Sequence, residues 1–564
     1  MILKKIIPLI LIIVFSLFTI RSFFSDGFFP MHDDAQVARV IVMTQALKNG
    51  QFPVRLVSDL GYGYGYPLFN FYGPLPYYVG GALHALGVDA LTATKMMIGI
   101  GVIVGSLSVY LLTSSIVGSF AGLFSSMLFT YFPYRAVQIY VRGAVGELWA
   151  ISLLPFVLYG LIKLFRKETV MKGILVGSIS LSGVILSHTV FGYISAGLII
   201  GTALTLYGIS LFTKKNSLRQ SIIPLLGMLA IALGLTAFFW LPAVSEMKYT
   251  NVSKVIGETA NYKDHYICFS QLWDSPWGFG GSAPGCLDGM SFKLGKLHVI
   301  FFLAAVSMLI FAKEKIKCIH GVLIGLVFLT GLLLFAMLSI SELIWKIIPF
   351  SSFVQYPWRL LGLIGICMSV VSGYLFYKRQ TIAAIIMLVF LGGGVMLQNG
   401  KLFEPHYLYY RPLSSFSSKE ELQLRASSVS DEYLPKGIKI PFTIQEVVEN
   451  RVQGNETVNV VKLKESETYG SYEIEADSNQ ELKLNMAFFP GWKFYINGNS
   501  APSSIVDGQP YVVLSAGNTL LEMRFSNTPV RMIGNGISLL TILGIFGFYM
   551  YEKKTYRHHR HTCL

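Results

Sequence analysis

Long apolar runs without charge constrain this chain more than any other feature of its sequence. Only 13% of its 564 residues are charged, whereas a soluble domain carries roughly 25%. A run of about 20 apolar residues is long enough to cross a bilayer as a helix. The sequence therefore predicts a multi-pass membrane protein. The predicted spans are 4–24, 90–113, 116–133, 147–166, 171–188, 190–213, 220–243, 297–312, 318–340, 357–377, 380–398 and 531–551.

The distribution of basic residues predicts how these spans are oriented. The formal net charge is +14, and the basic residues cluster in short loops between apolar runs, as the positive-inside rule describes. This pattern indicates membrane orientation and not nucleic-acid binding. Residues 72–86 form a further apolar piece with two prolines near its start. If residues 72–86 do not cross the membrane, the basic loops and the C-terminal tail lie on the same side of the membrane as Lys4 and Lys5. We therefore predict a re-entrant helix, twelve spans and cytoplasmic termini.

The order of spans and loops predicts a division into domains. No small-x-small cleavage motif follows the first apolar run, so residues 4–24 are interpreted as an uncleaved span. The predicted parts are a membrane domain (1–398) with external loops 25–89 and 244–296, an extracytoplasmic domain (399–530), a final span (531–551) and a basic cytoplasmic tail (552–564).

The polar domain 399–530 has the pattern of an all-β sandwich. Short runs with alternating and β-branched residues predict strands, and Asn497-Gly498 is a strong signal for a type I′ hairpin. The runs are KIPFTIQEV, TVNVVKLK, SYEIEA, ELKLNMAFF, KFYI, YVVL and LLEMRF.

An acidic pair lies where the chain leaves the first span. The stretch DGFFPMHDDAQVARV places His32 beside Asp33 and Asp34. One of the aspartates would serve as an N-cap if a helix follows, and the apolar spacing from residue 37 to 47 predicts such a helix. Two adjacent carboxylates at a membrane surface exceed what a cap needs, however, so we also predict a functional site.

Other polar residues converge on the same predicted outer level. Charge next to hydrocarbon is costly and is usually functional, although each residue alone has a structural explanation such as snorkelling. No ionisable residue lies near the middle of any predicted span, which argues against an ion-coupled transporter. The pattern favours an enzyme that acts on a membrane-borne substrate. The converging residues are Arg135, Arg142, Glu147, His188, Glu246, Gln355 and Arg359.

Two loops complete the set of candidates. The stretch GYGYGYPLFNFYGPLPYY lacks the Lys-Ser/Thr of a phosphate loop. Its tyrosines, Tyr72 among them, suit a sugar or a lipid headgroup, or equally an interfacial aromatic belt. The five cysteines show no metal-ligand spacing. Cys268 and Cys286 share one predicted external loop on the oxidising side, so we predict that they form a disulfide, with two free thiols as the alternative.

Several of these segments carry a resemblance to known families. The chain resembles the GT-C superfamily of membrane glycosyltransferases and, more closely, the bacterial and archaeal membrane proteins labelled 6-pyruvoyl-tetrahydropterin synthase-related. Its C-terminal part resembles lipoteichoic-acid-glycosylating membrane proteins. The sequence shows no His set for pterin chemistry. The segments are MHDDAQVAR, PLFNFYGPLPYY, VRGAVGELWAISLLPFVLYGL, LSHTVFGYISA, FWLPAVSEMKY, VQYPWRLL and FFPGWKFYING…LSAGNTLLEMRFSNTPVRMIGNGISL.

The resemblance implies an all-α membrane bundle of about 12 helices with an extracytoplasmic β sandwich. It implies sugar transfer from a polyprenyl-phosphate donor to a glycan, lipid or protein acceptor at the outer face of the cell membrane. Asp33, Asp34 and Glu147 would be the catalytic carboxylates, and Asp33 and Asp34 would hold any Mg²⁺ or Mn²⁺. Arg142 and Arg359 would hold the donor phosphate. The remaining substrate-binding candidates are His32, Tyr72, Arg135, His188, Glu246 and Gln355.

Two alternatives belong to other classes of protein. A transporter or lipid flippase would bind the lipid without chemistry, and an envelope-assembly scaffold would use the β domain as its working part. A catalytic function requires Asp33 or Asp34, whereas a scaffold does not.

Overall fold

The computed structural model describes residues 3–165, 169–213, 216–252, 261–312, 317–349, 351–379 and 381–561. Of the predicted basic tail, residues 562–564 therefore lie outside the described residues. The chain divides into two compact units. The first unit comprises Met1–Thr44, Gly73–Ser195 and Val252–Ser430, and the second comprises Gln45–Tyr72, Ala196–Asn251 and Asp431–Leu564.

Apolar helices account for most of the described chain. Eight are long and apolar enough to cross a membrane, the pair Ile222–Leu235 and Ala237–Tyr249 is bent by 73°, and three shorter apolar helices remain among the described residues. Together these elements fall on the twelve predicted spans. The main helices are Leu3–Thr19, Gln36–Lys48, Leu75–Ala85, Ala90–Ile116, Ser119–Thr130, Val145–Leu164, Val170–Ser187, Thr189–Thr213, Asn216–Leu235, Ala237–Glu246, Lys296–Ile310, Lys317–Ala336, Glu342–Ile347, Leu361–Ser372, Ile382–Asn399 and Pro529–His561.

A proline ends one of the shorter helices. Ser119–Thr130 stops before Phe132, whose backbone is extended with φ −63° and ψ 130°. Phe132 precedes Pro133, and the proline ring disfavours helical backbone at the residue before it. The predicted span 116–133 is therefore shorter in the structure than in the sequence interpretation.

The predicted re-entrant segment 72–86 contains the helix Leu75–Ala85, with 11 residues. At 1.5 Å per residue it is about 16 Å long, well short of the roughly 30 Å hydrocarbon core. Two glycines let this helix approach its neighbours closely. A Cβ atom at Gly80 would lie 2.8 Å from Val40, and one at Gly81 would lie 2.7 Å from Met43. This close packing places Tyr77 against the helix Gln36–Lys48.

The C-terminal part of the second unit contains two antiparallel sheets. The strands are β1 Val458–Glu465, β2 Tyr469–Ala476, β3 Gln480–Lys483, β4 Trp492–Ile496, β5 Asn499–Ala501, β6 Ser503–Val506, β7 Gln509–Leu514 and β8 Gly517–Phe525. One sheet has the order β1-β2-β8-β4-β5 and the other β3-β7-β6. Residues of both sheets, including Tyr472, Leu482 and Leu521, share one apolar core.

Local turn signals account for part of this topology. Asn497 and Gly498 have φ of 49° and 79°, and they join β4 to β5 as predicted. Asp507 and Gly508 have φ of 49° and 73° and join β6 to β7, a hairpin that the sequence interpretation missed. The predicted strand KIPFTIQEV is wrong: residues 439–447 carry only the short 3₁₀ helix Ile444–Glu446. Pro441 lacks the N–H that a ladder requires.

The first unit also takes in residues that were predicted to open the β domain. Residues 399–430 belong to it and contain the π-helical segment Glu420–Ala426. The backbones of Phe28 and Tyr409 form a bridge, with N–O distances of 2.9 and 2.8 Å. This segment therefore packs beside the loop that follows the first helix.

Candidate active site

Asp33 is held by groups from the helix that follows it. Arg39 Nη1 donates to Asp33 Oδ2 at 2.7 Å, and Gln36 Nε2 lies 2.9 Å from the same oxygen. The Arg39 side chain is 2% exposed, so it needs a nearby opposite charge. The backbone of Asp33 is also fixed, because its N–H donates to the carbonyl of Arg142 at 3.0 Å.

A second layer of hydrogen bonds orients Gln36. Tyr77 OH donates to Gln36 Oε1 at 2.7 Å, and Gln36 Nε2 lies 2.8 Å from the carbonyl oxygen of Gly143. All of these groups are buried or partly buried. The short helix Leu75–Ala85 thus supports the acidic loop through one glutamine side chain.

Asp34 pairs with a residue from a distant part of the chain. Arg425 Nη1 donates to Asp34 Oδ2 at 3.0 Å, and Arg425 Nε donates to Glu421 at 2.7 Å. Within the described residues, no backbone N–H of the following helix donates to the Asp34 carboxylate, so this residue is not an N-cap there. Burial raises the pKa of Asp34 above its usual value, and Arg425 offsets part of that rise.

Glu147 forms the centre of a buried cationic cluster. It lies in the first turn of Val145–Leu164, where the positive end of the helix dipole favours a carboxylate. Glu147 Oε1 accepts from Tyr134 OH at 2.6 Å and from Gln138 Nε2 at 2.9 Å. Glu147 Oε2 accepts from Arg142 Nη1 at 2.8 Å and lies 3.4 Å from Arg359 Nε.

Positive charge exceeds negative charge in this cluster. Arg135, which is also buried, interacts electrostatically with Glu147 and donates to Gln138 and Ser152. The π-helical segment Val137–Val141 carries the chain from Arg135 to Arg142, and such segments are frequent at functional sites. Three guanidinium groups facing one carboxylate leave a formal charge of +2 inside the protein.

Aromatic rings and a left-handed residue position the two arginines that flank Glu147. Arg142 Cζ lies 4.6 Å from the centroid of the Trp358 ring, and Arg359 Cζ lies 4.9 Å from that of Tyr356. Gln355 has φ of 63°, an uncommon backbone conformation for a residue with a side chain. Its Oε1 accepts from Arg359 Nη1 at 3.1 Å.

Two polar atoms at the cluster have no hydrogen-bond partner within the described structure. They are Arg359 Nε and His188 Nδ1, both buried. His188 approaches the cluster because residue 146 is glycine: a Cβ there would lie 2.5 Å from the carbonyl oxygen of Ser187. A buried polar atom without a hydrogen-bond partner costs free energy, so a group that hydrogen-bonded to either atom would lower that cost.

The first unit brings most of the candidates into these two groups. Asp33 and Asp34 form the acidic loop, and Arg135, Arg142, Glu147, His188, Gln355 and Arg359 form or adjoin the cationic cluster. The hydrogen bond from Asp33 N–H to the Arg142 carbonyl joins them. His32 is anchored by its own N–H to Val141, and its ring Nε2 lies 2.9 Å from the carbonyl oxygen of Phe279.

Tyr72 and Glu246 lie in the second unit, so their predicted part in the same site stays a prediction. Tyr72 is half-buried. Glu246 is 3% exposed, and Arg531 Nε and Nη2 donate to its Oε2 at 3.0 and 2.9 Å. Asn70 and Thr528 donate to Glu246 as well, at 2.9 and 2.7 Å. This carboxylate is saturated by protein donors, which is typical of a structural ion pair.

Replacing Glu246 with glutamine is expected to destabilise the protein. Breaking a buried ion pair from one side typically costs about 3–5 kcal/mol, because the Arg531 charge would stay buried. The measurement is thermal unfolding of the full chain in detergent, with Glu473→Gln, an exposed glutamate of β2, as control. An unchanged melting temperature for Glu246→Gln would contradict the structural role.

The donor set gives limited support for a metal ion. Among the described residues, no three His, Cys, Asp or Glu side chains gather as a metal site. Asp33 and Asp34 are hard oxygen ligands of the kind that Mg²⁺ prefers, but each already accepts from an arginine. A cation bound here would share the two carboxylates with Arg39 and Arg425.

The sequence interpretation missed several residues of the site. Arg39 had a local signal, since it lies on the predicted helix directly after the acidic pair. Arg425 had none, because it lies in a segment assigned to the β domain. The other missed residues are Gln36, Tyr77, Tyr134, Gln138, Trp358 and Glu421.

Part of this chain matches a described family. Residues 69–270 match the 6-pyruvoyl-tetrahydropterin synthase related domain of membrane proteins. The match confirms the predicted resemblance over that range. The related domain includes Arg142, Glu147 and His188 of the cationic cluster, whereas Asp33, Asp34 and Arg359 lie outside the matched residues.

One relative shares clear sequence similarity. It is an uncharacterized protein of Lactococcus lactis subsp. cremoris (strain MG1363), 27% identical over 249 residues, which are 42% of this chain and 39% of that protein. The alignment therefore spans about two fifths of the relative's length.

Three solved structures align with more than two thirds of this chain. The mycobacterial arabinofuranosyltransferase AftD aligns with 72% of this chain and 27% of its own, with a TM-score of 0.46 and 13% identity. The alignment with the Archaeoglobus fulgidus oligosaccharyltransferase covers 79% of this chain and 62% of that protein, with a TM-score of 0.42 and 12% identity. The alignment with ArnT from Cupriavidus metallidurans, bound to undecaprenyl phosphate, covers 69% of this chain and 62% of that protein, with a TM-score of 0.37 and 13% identity.

Proposed function

We propose that this chain is a membrane glycosyltransferase that moves a sugar from a polyprenyl-phosphate donor to an extracytoplasmic or lipid-linked acceptor. The observation that carries the proposal is the excess of buried positive charge around Glu147. A backbone hydrogen bond from Asp33 to Arg142 connects this cluster to the acidic pair. An uncompensated buried charge is unfavourable, and a phosphate group would compensate it. A lipid-linked phosphate can reach such a site from the membrane.

The acidic loop supplies the base. Asp34 is the better candidate, because burial makes its carboxylate more basic than usual, and a general base works best when its pKa approaches the working pH. Asp33 accepts from Arg39 and Gln36 through one oxygen. Its role is to orient the loop and to add negative charge near the acceptor hydroxyl.

The transfer itself is a direct displacement. As the acceptor O–H bond breaks, its proton passes to Asp34, and the acceptor oxygen forms a bond to the anomeric carbon of the donor. The bond between that carbon and the phosphate oxygen breaks, and its electron pair leaves with the phosphate. Arg142 and Arg359 stabilise the charge that develops on the leaving group. No step passes through a metal ion or a covalent glycosyl-enzyme.

A transfer assay tests the proposal. The full chain in lipid nanodiscs would be incubated with undecaprenyl phosphates that carry a radiolabelled hexose or pentose, and with envelope extract as the source of acceptor. Label is expected to leave the donor fraction, with release of undecaprenyl phosphate. The control is Asp477→Asn, an exposed aspartate of the second unit, which should transfer as well as the wild type.

The assay also separates the alternatives. Tight binding of undecaprenyl phosphate without transfer from either donor would favour the transporter or flippase. Absence of both binding and transfer would favour the scaffold and overturn the proposal.

A further inference from the structure

The loop closed by Cys268 and Cys286 is held by a disulfide and by side-chain hydrogen bonds. A disulfide joins the two cysteines, whose Cα atoms are 5.6 Å apart. Asp288 accepts from Gln271 Nε2 at 2.6 Å and from the N–H of Ala283 at 2.9 Å. Residues 268–286, here called the disulfide loop, therefore hold a defined conformation within the first unit.

One contact of the disulfide loop reaches the acidic side of the site. The carbonyl oxygen of Phe279 lies 2.9 Å from His32 Nε2, and the Phe279 ring stacks on His406 with centroids 4.6 Å apart. His32 is the neighbour of Asp33, and its N–H donates to the carbonyl of Val141. A shift of Phe279 would thus act on the segment that carries the aspartates.

A second contact reaches the cationic side. Trp358 Nε1 donates to Ser282 Oγ at 3.1 Å, and the same oxygen lies 2.7 Å from His265 Nδ1. The Trp358 ring packs against the guanidinium of Arg142, and Trp358 directly precedes Arg359. Ser282 therefore fixes the ring that supports one arginine and adjoins the other.

We propose that the disulfide loop is a positioning element of the site, with Phe279 and Ser282 as its positioning residues. With the disulfide formed, Phe279 holds His32 and Ser282 holds Trp358. These two contacts fix the position of the acidic loop relative to the cationic cluster. Reduction adds two electrons and two protons to Cys268 and Cys286. The loop ends then separate, and the two contacts loosen together.

The effect on catalysis rests on the proposed function. Misplacement of a site by about 1 Å can lower the rate by as much as 10²-fold, so reduction is expected to lower kcat by about tenfold to a hundredfold. Ser282→Ala, which keeps the disulfide, should reproduce part of this loss. The donor would still bind, because reduction leaves the arginines themselves intact.

The test uses the full chain in nanodiscs with and without dithiothreitol, a dithiol that becomes a cyclic disulfide as it reduces the protein. Alkylation and mass measurement establish that both thiols are free. Hydrogen exchange is followed in peptides covering 30–35 and 354–360, and faster exchange is expected in both after reduction. Peptides from the strands of the second unit serve as an internal control.

The cysteine variant supplies a matched control. Cys268→Ser/Cys286→Ser should exchange like the reduced wild type and should not respond to dithiothreitol. Should that variant fail to fold, reduction of the folded wild type still decides the question. Complete reduction with unchanged exchange at both peptides would overturn the positioning role, even if the wild type transfers sugar. Faster exchange in a protein without transferase activity would support the loop and contradict only the proposed function.

Discussion

Replacing Asp34 with asparagine is expected to lower the rate of sugar transfer by about 10²–10⁴, the usual contribution of a general base. The change keeps the size of the side chain and removes its charge. Arg425 remains paired with Glu421 through its Nε, so losing the Asp34 carboxylate does not leave the Arg425 charge without a partner. The protein should therefore insert and melt like the wild type.

Asp33→Asn separates catalysis from stability less clearly than Asp34→Asn does. It weakens the charge compensation of Arg39, whose side chain is 2% exposed, so a loss of activity would come with a loss of stability. Asp477→Asn is the matched surface control for both. If Asp34→Asn transfers sugar at nearly the wild-type rate, Asp34 is not the base, and the catalytic interpretation of the acidic pair loses its main support.

The pH dependence gives a second readout for the same residue. The base must be ionised to accept a proton, and burial raises the pKa of Asp34. The acid limb of kcat/KM should therefore lie at higher pH than for an ordinary aspartate, with activity rising as pH rises through that pKa. Any residual activity of Asp34→Asn should lack this limb. An identical limb in the variant would assign the titration to another group.

Replacing Arg359 with glutamine is expected to lower kcat by about 10²–10³, the cost of losing one donor to a developing anion. Arg142 still pairs with Glu147 at 2.8 Å in this variant, so the buried carboxylate keeps a partner and the fold should persist. Arg359→Lys retains the charge but not the planar fork, and its activity should lie between those of the wild type and Arg359→Gln.

The measurements are transfer rate and binding of undecaprenyl phosphate to the full chain. Arg524→Gln is the matched control, since Arg524 is 55% exposed on β8 and pairs with Glu522, and exposed pairs contribute little to stability. An Arg359→Gln protein that binds undecaprenyl phosphate and transfers sugar like the wild type would remove Arg359 from the donor site.

Local sequence properties account for the elements of the fold. A run of apolar residues long enough to cross a bilayer is recognisable within the run itself, and the helices of both units fall on such runs. The Asn497-Gly498 turn was predictable for the same reason, because its left-handed backbone depends on two adjacent residues. The stretch 439–447 misled the interpretation, since its alternating pattern outweighed the proline within it.

The charged residues of the candidate site were recognisable in the sequence, but the ion pairs that they form were not. The sequence by itself determined that charged residues cluster at the ends of apolar spans, because buried charge is too costly to occur there without a role. Only the tertiary structure decided which charges meet. Asp34 pairs with Arg425 across 391 positions, and Glu147 meets Arg359 from another helix. Glu246, which carries the same sequence signal, is instead saturated by Arg531, Asn70 and Thr528. Ion pairs of this kind depend on how the chain folds back on itself. No local sequence pattern encodes which two distant residues come into contact.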